Sequence, residues 1–182
     1  MSNLNGITEE ELIQKCKAGN LKDLEKLYKH FYGYAMGVGF RYLADRDDVL
    51  EVVNDAFIKV FKSIHTYNNT MFFKPWLRKV VVNTALDRYR KNQRQVEIVE
   101  LDQANEITGG TFQADDLTVK EIMKLLDALP ELQRVVFNMY EIDGYSHEEI
   151  STMLNIPASS SRVYLARAKE KLRSVLLKAA QI

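Results

Sequence analysis

Apolar residues recur along this chain at three- and four-residue intervals, the period that buries one face of an α-helix, and a convincing two-residue period is absent apart from a short stretch around Val96 to Val99. A first helix opens on the capping pair Thr8 and Glu11 and stops near Gly19. Asn20 caps a second, with Leu21, Leu24, Leu27, Tyr28 and Phe31 on one face, continuing to Phe40 although Gly33, Gly37 and Gly39 weaken it. Asp45 caps a third, whose apolar stripe runs Val49, Val52, Val53, Ala56, Phe57, Val60, Phe61 and Ile64. A polar turn from His65 to Thr70 leads to a fourth helix over about 71–93.

The periodicity then lapses over 95–116, where acidic residues surround Gly109-Gly110, the composition of a flexible acidic linker. Four shorter helices follow at roughly 117–128, 130–142, 147–154 and 159–178, punctuated by Pro130, Gly144, a second capping pair Ser146 and Glu149, and Pro157. The expected fold class is all-α, with two small helical domains, 7–94 and 117–180, joined by that linker.

A hydrophobic fraction of 46% supplies enough apolar surface for packed cores in 182 residues. No run approaches the roughly 18 apolar residues of a membrane span, and the first twenty residues are too acidic and polar for a signal peptide. The lone Cys16 excludes an intrachain disulfide and a cysteine-based metal cluster. A cytoplasmic location without membrane insertion is expected.

Net charge is zero, but unevenly spread. Lys/Arg and Asp/Glu number 16 and 11 over residues 1–94, none and 6 over 95–117, and 9 and 8 over 118–182, giving +5, −6 and +1. The acidic segment masks a basic first half, and a phosphate backbone responds to local patches because the field is screened within about 8–10 Å.

Three constellations could carry function. Residues 145–169 read as a helix-turn-helix, with Asn155 and Pro157 in the turn and Ile150, Leu154, Ile156, Val163 or Leu165, and Ala168 filling the angle. Its second helix offers Ser159, Ser160, Ser161, Arg162, Tyr164 and Arg167, small polar and basic groups suited to base edges and phosphates; an ordinary helical hairpin with a solvated basic face is the plain alternative. Residues 64–91 mix rings, amides and cations as an unstacked strand requires: Tyr67, Asn68, Asn69, Phe72, Phe73 and Trp76 with Lys74, Arg78, Lys79, Arg88, Arg90 and Lys91. The plain alternative is that Phe72, Phe73 and Trp76 belong to the core of helix four.

The third constellation is acidic: Asp47, Asp48, Glu51 and Asp55 on helix three. An Asp-Asp-x-x-Glu run is similar to the magnesium-binding motif of isoprenoid synthases, but this chain has no second metal motif and is split by the linker. His147 beside Glu148 and Glu149 is not a zinc signature, since Ser151 stands where a second histidine would. No glycine-rich phosphate loop or nucleophile elbow occurs, so neither an enzyme activity nor a cofactor is expected.

Taken in order, these segments resemble the extracytoplasmic-function (ECF) sigma factors of bacterial RNA polymerase over roughly residues 10–178. The run from Asp47 to Phe61 resembles the family's polymerase-docking helix, which implies docking roles for Asp48, Glu51, Asn54 and Asp55. The run from Pro75 to Arg90 resembles the minus-ten reading helix, with Asn83, Asp87 and Arg90 at its spacing, and residues 65–74 lie where the family captures a flipped non-template base. Leu129 through the helix-turn-helix resembles the region that reads the minus-thirty-five element, although Ser159 replaces the usual glycine. The resemblance implies promoter DNA, the beta and beta-prime subunits of core polymerase and an anti-sigma factor as partners. The competing class is a stand-alone helix-turn-helix regulator acting without polymerase.

Overall fold

The computed structural model describes residues 6–68, 72–96 and 119–179, and every element among them is helical. The chain divides into two compact units, Met1–Arg88 and Tyr89–Ile182.

The first unit holds α1 (Glu9–Lys17), α2 (Leu21–Tyr42), α3 (Arg46–Ser63), a 3-10 turn over Ile64–Thr66 and α4 (Phe73–Val96) as far as Arg88, the last turns of α4 being counted with the second. Their starts are set locally. Thr8 and Glu11 form the reciprocal capping box, Asn20 Oδ1 accepts from Lys22 N–H, and Asp45 Oδ1 accepts from both Asp47 and Asp48 N–H. The α3 stripe is buried at Val49, Val52, Val53, Ala56, Phe57 and Val60, and Ile64 is buried in the 3-10 turn. α3 packs on α2, where Leu27, Phe31, Ala35 and Val38 are buried, and Leu77, Val81 and Leu86 of α4 are buried as well. Leu21, expected on that face, is instead 81% exposed at the first turn of α2.

The three glycines expected to weaken α2 do not break it. Gly39 has a packing reason to be glycine, because a Cβ there would stand 2.8 Å from Cγ1 of Val49 on α3. Val49 is β-branched and fully buried, so it cannot swing aside. Gly39→Val is expected to cost about 3 kcal/mol through overpacking, read as a lower midpoint in urea, with Val49→Ala in the same chain restoring part of the loss. An unchanged midpoint would show that the two helices can separate without penalty.

The fourth helix begins at Phe73, two residues later than the periodicity suggests, and runs to Val96, past the expected domain boundary at 94. Most of the expected linker, and the part of the short apolar stretch that follows Val96, lie outside the described residues.

The second unit contains α5 (Val119–Asp127), α6 (Glu131–Phe137), α7 (His147–Leu154) and α8 (Ala158–Ala179). The expected helix over 130–142 does not stay α-helical: Asn138–Ile142 widen into a π-turn. Buried Asn138 donates its side-chain amide to the Arg134 carbonyl, and from there the bonding steps to i→i+5, with Asp143 N–H on the Asn138 carbonyl at 2.9 Å. Arg134, also buried, donates from Nη1 to Asp127 Oδ1 at 3.0 Å, tying α6 to the end of α5. Leu126, Leu129 and Ala168 form a core cluster with Met123, Phe137 and Leu172 against it.

Candidate nucleic-acid and docking interfaces

The helix-turn-helix is built from two local devices. Ser146 and Glu149 make the second capping box, fixing the start of α7. Asn155 then takes the left-handed conformation, φ 54 and ψ 45, and Ile156 N–H reaches back to the Ser151 carbonyl at 3.2 Å, so α7 stops and the chain turns into α8. Ile150, Leu154 and Leu165 are buried, as is Ala168, which belongs to the cluster with Leu126 and Leu129; Val163, the other candidate, is 46% exposed.

This phase of α8 corrects one expected DNA contact. Ser161 is fully buried, and its Oγ shares a 2.9 Å hydrogen bond with His147 Nδ1, while the Tyr140 ring stacks on His147 at 4.4 Å. It joins α7 to α8 and is not presented to a groove. Ser159, Arg162 and Arg167 are exposed, and Ser160 and Tyr164 are half-buried. Exposed Val163, and Ala166, which the sequence reading does not single out, fall between the arginines; their apolar surface suits a thymine methyl. Arg162 Nη2 meets Glu148 Oε1 at 2.8 Å, an exposed pair that holds the guanidinium over the first turn of α7.

Arg162 and Ser161 therefore make opposite predictions. Arg162→Ala is expected to relax discrimination at one or two upstream base pairs by about 1–3 kcal/mol. Ser161→Ala is expected to lower stability by about 1 kcal/mol and leave the relative preference among upstream sequences unchanged. Competition binding on a set of single-base upstream variants, with urea unfolding alongside, checks both.

On α4, Lys79, Asn83, Asp87, Arg90 and Lys91 are spaced i, i+4, i+8, i+11 and i+12, one helical face. Lys79, Asp87, Arg90 and Lys91 are exposed and Asn83 is half-buried. Asp87 is engaged by Lys59 of α3 at 3.3 Å, the same ammonium that bonds Thr84 Oγ1 at 3.1 Å, so its carboxylate orients α3 against α4.

The rings at the start of α4 divide in two. Phe72 is 87% exposed, whereas Phe73 and Tyr67 are buried. Tyr67 is thus a correction: its ring lies 5.5 Å from Phe73 and 5.1 Å from Trp76, burial pushes its hydroxyl pKa upward, and no face is left for a base. Trp76 is half-buried in that cluster. Asn68 and Lys74 are exposed, with Lys74 Nζ 5.9 Å from the Tyr34 ring centroid; Asn69 lies outside the described residues.

On α3 the outward face combines acids and apolar groups. Glu51, Asn54 and Asp55 are exposed and Asp48 half-buried, and among them stand Leu50, 38% exposed, and Ile58, 50% exposed. The sequence reading did not single out these two, although they sit i and i+8 outside the core stripe. Arg88 of α4 clamps two of the acids, Asp48 through both Nε and Nη2 and Glu51 through Nη1 at 2.9 Å, and Tyr28 Oη donates to Asn54 Oδ1 at 3.0 Å. Asp55 completes a surface suited to a basic partner with a small apolar centre.

Burial raises the Cys16 thiol pKa to about 11, with Asp23 adding to it, so the lone cysteine stays protonated in the core. Among the described residues no group of acids, histidines and cysteines could hold a metal ion, and no helix is long and apolar enough to cross a membrane.

The architecture combines a helix-turn-helix in one unit with an exposed acidic and apolar helix face in the other. Residues 27–95 match Sigma-70 region 2 and residues 119–172 match Sigma-70, region 4. The chain belongs to the sigma-70 family, in its ECF group. The ECF RNA polymerase sigma-E factor of Haemophilus influenzae is 24% identical over 180 residues, covering 92% of this chain and 95% of that protein. The protein of the same description from Escherichia coli K12 is 26% identical over 180 residues, covering 91% and 93%. The sigma factor RpoE of Bartonella quintana, solved in complex with the anti-sigma factor NepR, has the same fold: TM-score 0.53 at 18% identity, over 86% of this chain and 98% of that one.

Proposed function

We propose that this chain directs core RNA polymerase to a set of promoters and initiates transcription there, acting in the cytoplasm by binding and not by catalysis of its own. The observation that carries it is the presence of both Sigma-70 regions, in order, in one chain. In this reading α3 docks on polymerase through Asp48, Glu51, Asn54, Asp55, Leu50 and Ile58. The exposed face of α4 reads the start-proximal element, and residues 65–74, of which Asn68 and Phe72 are exposed, take an unpaired non-template base. Unstacking a base costs a few kcal/mol, which stacking and edge hydrogen bonds in a prepared site offset. Ser159, Arg162, Val163, Tyr164 and Arg167 of α8 read the upstream element. An anti-sigma factor that masks one of these surfaces is part of the same reading.

A regulator acting on DNA without polymerase would leave the acidic and apolar face of α3 without a purpose. Run-off transcription separates the two. Core polymerase with this chain is expected to produce discrete transcripts that neither yields alone. Transcription by core polymerase that is unchanged on adding the chain would overturn the proposal.

A further inference from the structure

Arg88 stands on α4 among the cations that the sequence offers to DNA, yet its side chain is committed to α3. Nε, at 3.1 Å, and Nη2 both donate to Asp48 Oδ1, and Nη1 reaches Glu51 Oε2 at 2.9 Å. All three guanidinium nitrogens thus serve two carboxylates that lie three residues apart on one helix. The Asp48 bond, with the charges of Glu51 and Asp55 in support, raises the Arg88 pKa and keeps the cation permanent. Each acid is held through one oxygen, and its other oxygen can still accept from a partner.

The clamp is anchored at both ends. Ala85 and Leu86 of α4 are buried, as are Val49 and Val52 of α3, so the backbones that carry these side chains are fixed. The neighbour of Arg88, Asp87, meets Lys59 of α3 at 3.3 Å with the opposite polarity, and the same ammonium bonds Thr84 Oγ1 at 3.1 Å. Two consecutive residues of α4 therefore grip α3 at positions 48, 51 and 59, which sets the rotation of one helix against the other.

Such a clamp has two opposing effects on docking. Its charge offsets one acid and weakens attraction to a basic partner. Its fork fixes the rotamers of two side chains that binding would otherwise have to order, which strengthens the complex. Attraction between solvent-facing charges is screened by salt, whereas the ordering cost applies in full to every complex formed, so the second effect decides the sign. We propose that Arg88 is a positioning residue of the polymerase-docking face: it holds Asp48 and Glu51 in the geometry that a basic partner meets. This rests on the reading of α3 as the docking helix.

The test titrates the full chain against labelled core polymerase with no DNA present, so that no phosphate contact of Arg88 can contribute. Arg88→Lys keeps the charge and removes the fork, and Arg88→Met removes both. Each is made in the parent chain and in a chain carrying Asp48→Asn with Glu51→Gln. In the parent chain Arg88→Lys is expected to lose about tenfold in affinity, the scale of ordering two flexible side chains. Arg88→Met should also bind more weakly than the parent. In the neutralised chain, itself weaker than the parent, Arg88→Lys should cost less than about twofold, because the acids it positions are gone. Parental affinity in Arg88→Lys would overturn the proposal. So would an equal loss in both chains, which marks a general role in joining α4 to α3, and so would tighter binding by Arg88→Met, which marks a cation that only masks the acids. Parental affinity in the neutralised chain would instead remove the docking role of Asp48 and Glu51 beneath it.

Discussion

Glu51→Lys combined with Asp55→Lys is expected to abolish docking on core polymerase, lowering affinity by at least about a hundredfold, while the first unit keeps its helical fold. Both side chains are exposed and outside the α3 core stripe, so the substitutions leave Val49, Val52, Val53, Ala56, Phe57 and Val60 in place. An ammonium at position 51 would sit where Arg88 now finds a carboxylate at 2.9 Å, so a modest fall in melting temperature is expected. Across the interface the effect is larger, because like charges brought together on docking cost several kcal/mol and each 1.4 kcal/mol is about tenfold. A control with the same change in net charge, Glu10→Lys with Glu25→Lys on exposed positions of α1 and α2, separates local repulsion from long-range steering. The control should retain affinity within a few fold at physiological salt. Parental affinity in the Glu51 and Asp55 double variant, measured by titration against labelled core polymerase, would remove the docking role from α3.

That prediction rests on a face only half legible in the sequence. The acids at 48, 51 and 55 stand out by spacing alone, as do the helix caps, because a cap is decided by side chains within three residues of the backbone they serve. Both capping boxes, the Asn20 and Asp45 caps and the Asn155 turn lie where the sequence places them. The Arg88 clamp on Asp48 and Glu51 joins residues some forty positions apart, and no local period announces it. Arg88 appears in the sequence as one more cation for DNA, and the structure turns it toward the acids.

The misplaced site residues fail for a related reason, the phase at which a helix begins. With α8 starting at Ala158 and Leu165 and Ala168 buried, Ser161 falls four and seven residues earlier on the same inward face. Choosing Leu165 over Val163 from the sequence would have found it. Tyr67 was harder: a 3-10 turn intervenes before α4, and its different pitch breaks the periodicity that tells an inward ring from an outward one. The sequence marks an aromatic cluster there but not which ring faces water.

The remaining prediction joins the two units through the acidic segment. Residues 95–117 carry six acids, no Lys or Arg, and Gly109-Gly110, a composition expected to set no fixed distance between the two DNA-reading helices. On that expectation, free protein engaging both promoter elements must lose conformational freedom each time it binds. Free chain is therefore expected to bind promoter duplex weakly, and to change by less than about threefold when the spacer is altered. Docked on polymerase, the two units would be held apart by the enzyme, and the acidic segment would suit a path through a channel built for nucleic acid. Adding or removing about five base pairs turns one element half a helical turn away from the other. Transcription should then fall by at least about tenfold, because the held units can no longer face both elements. Band-shift binding on spacer variants, with and without core polymerase, measures both arms. Tight and spacing-sensitive binding by the chain alone would mean that the units fix their own separation, and would favour a regulator that needs no polymerase.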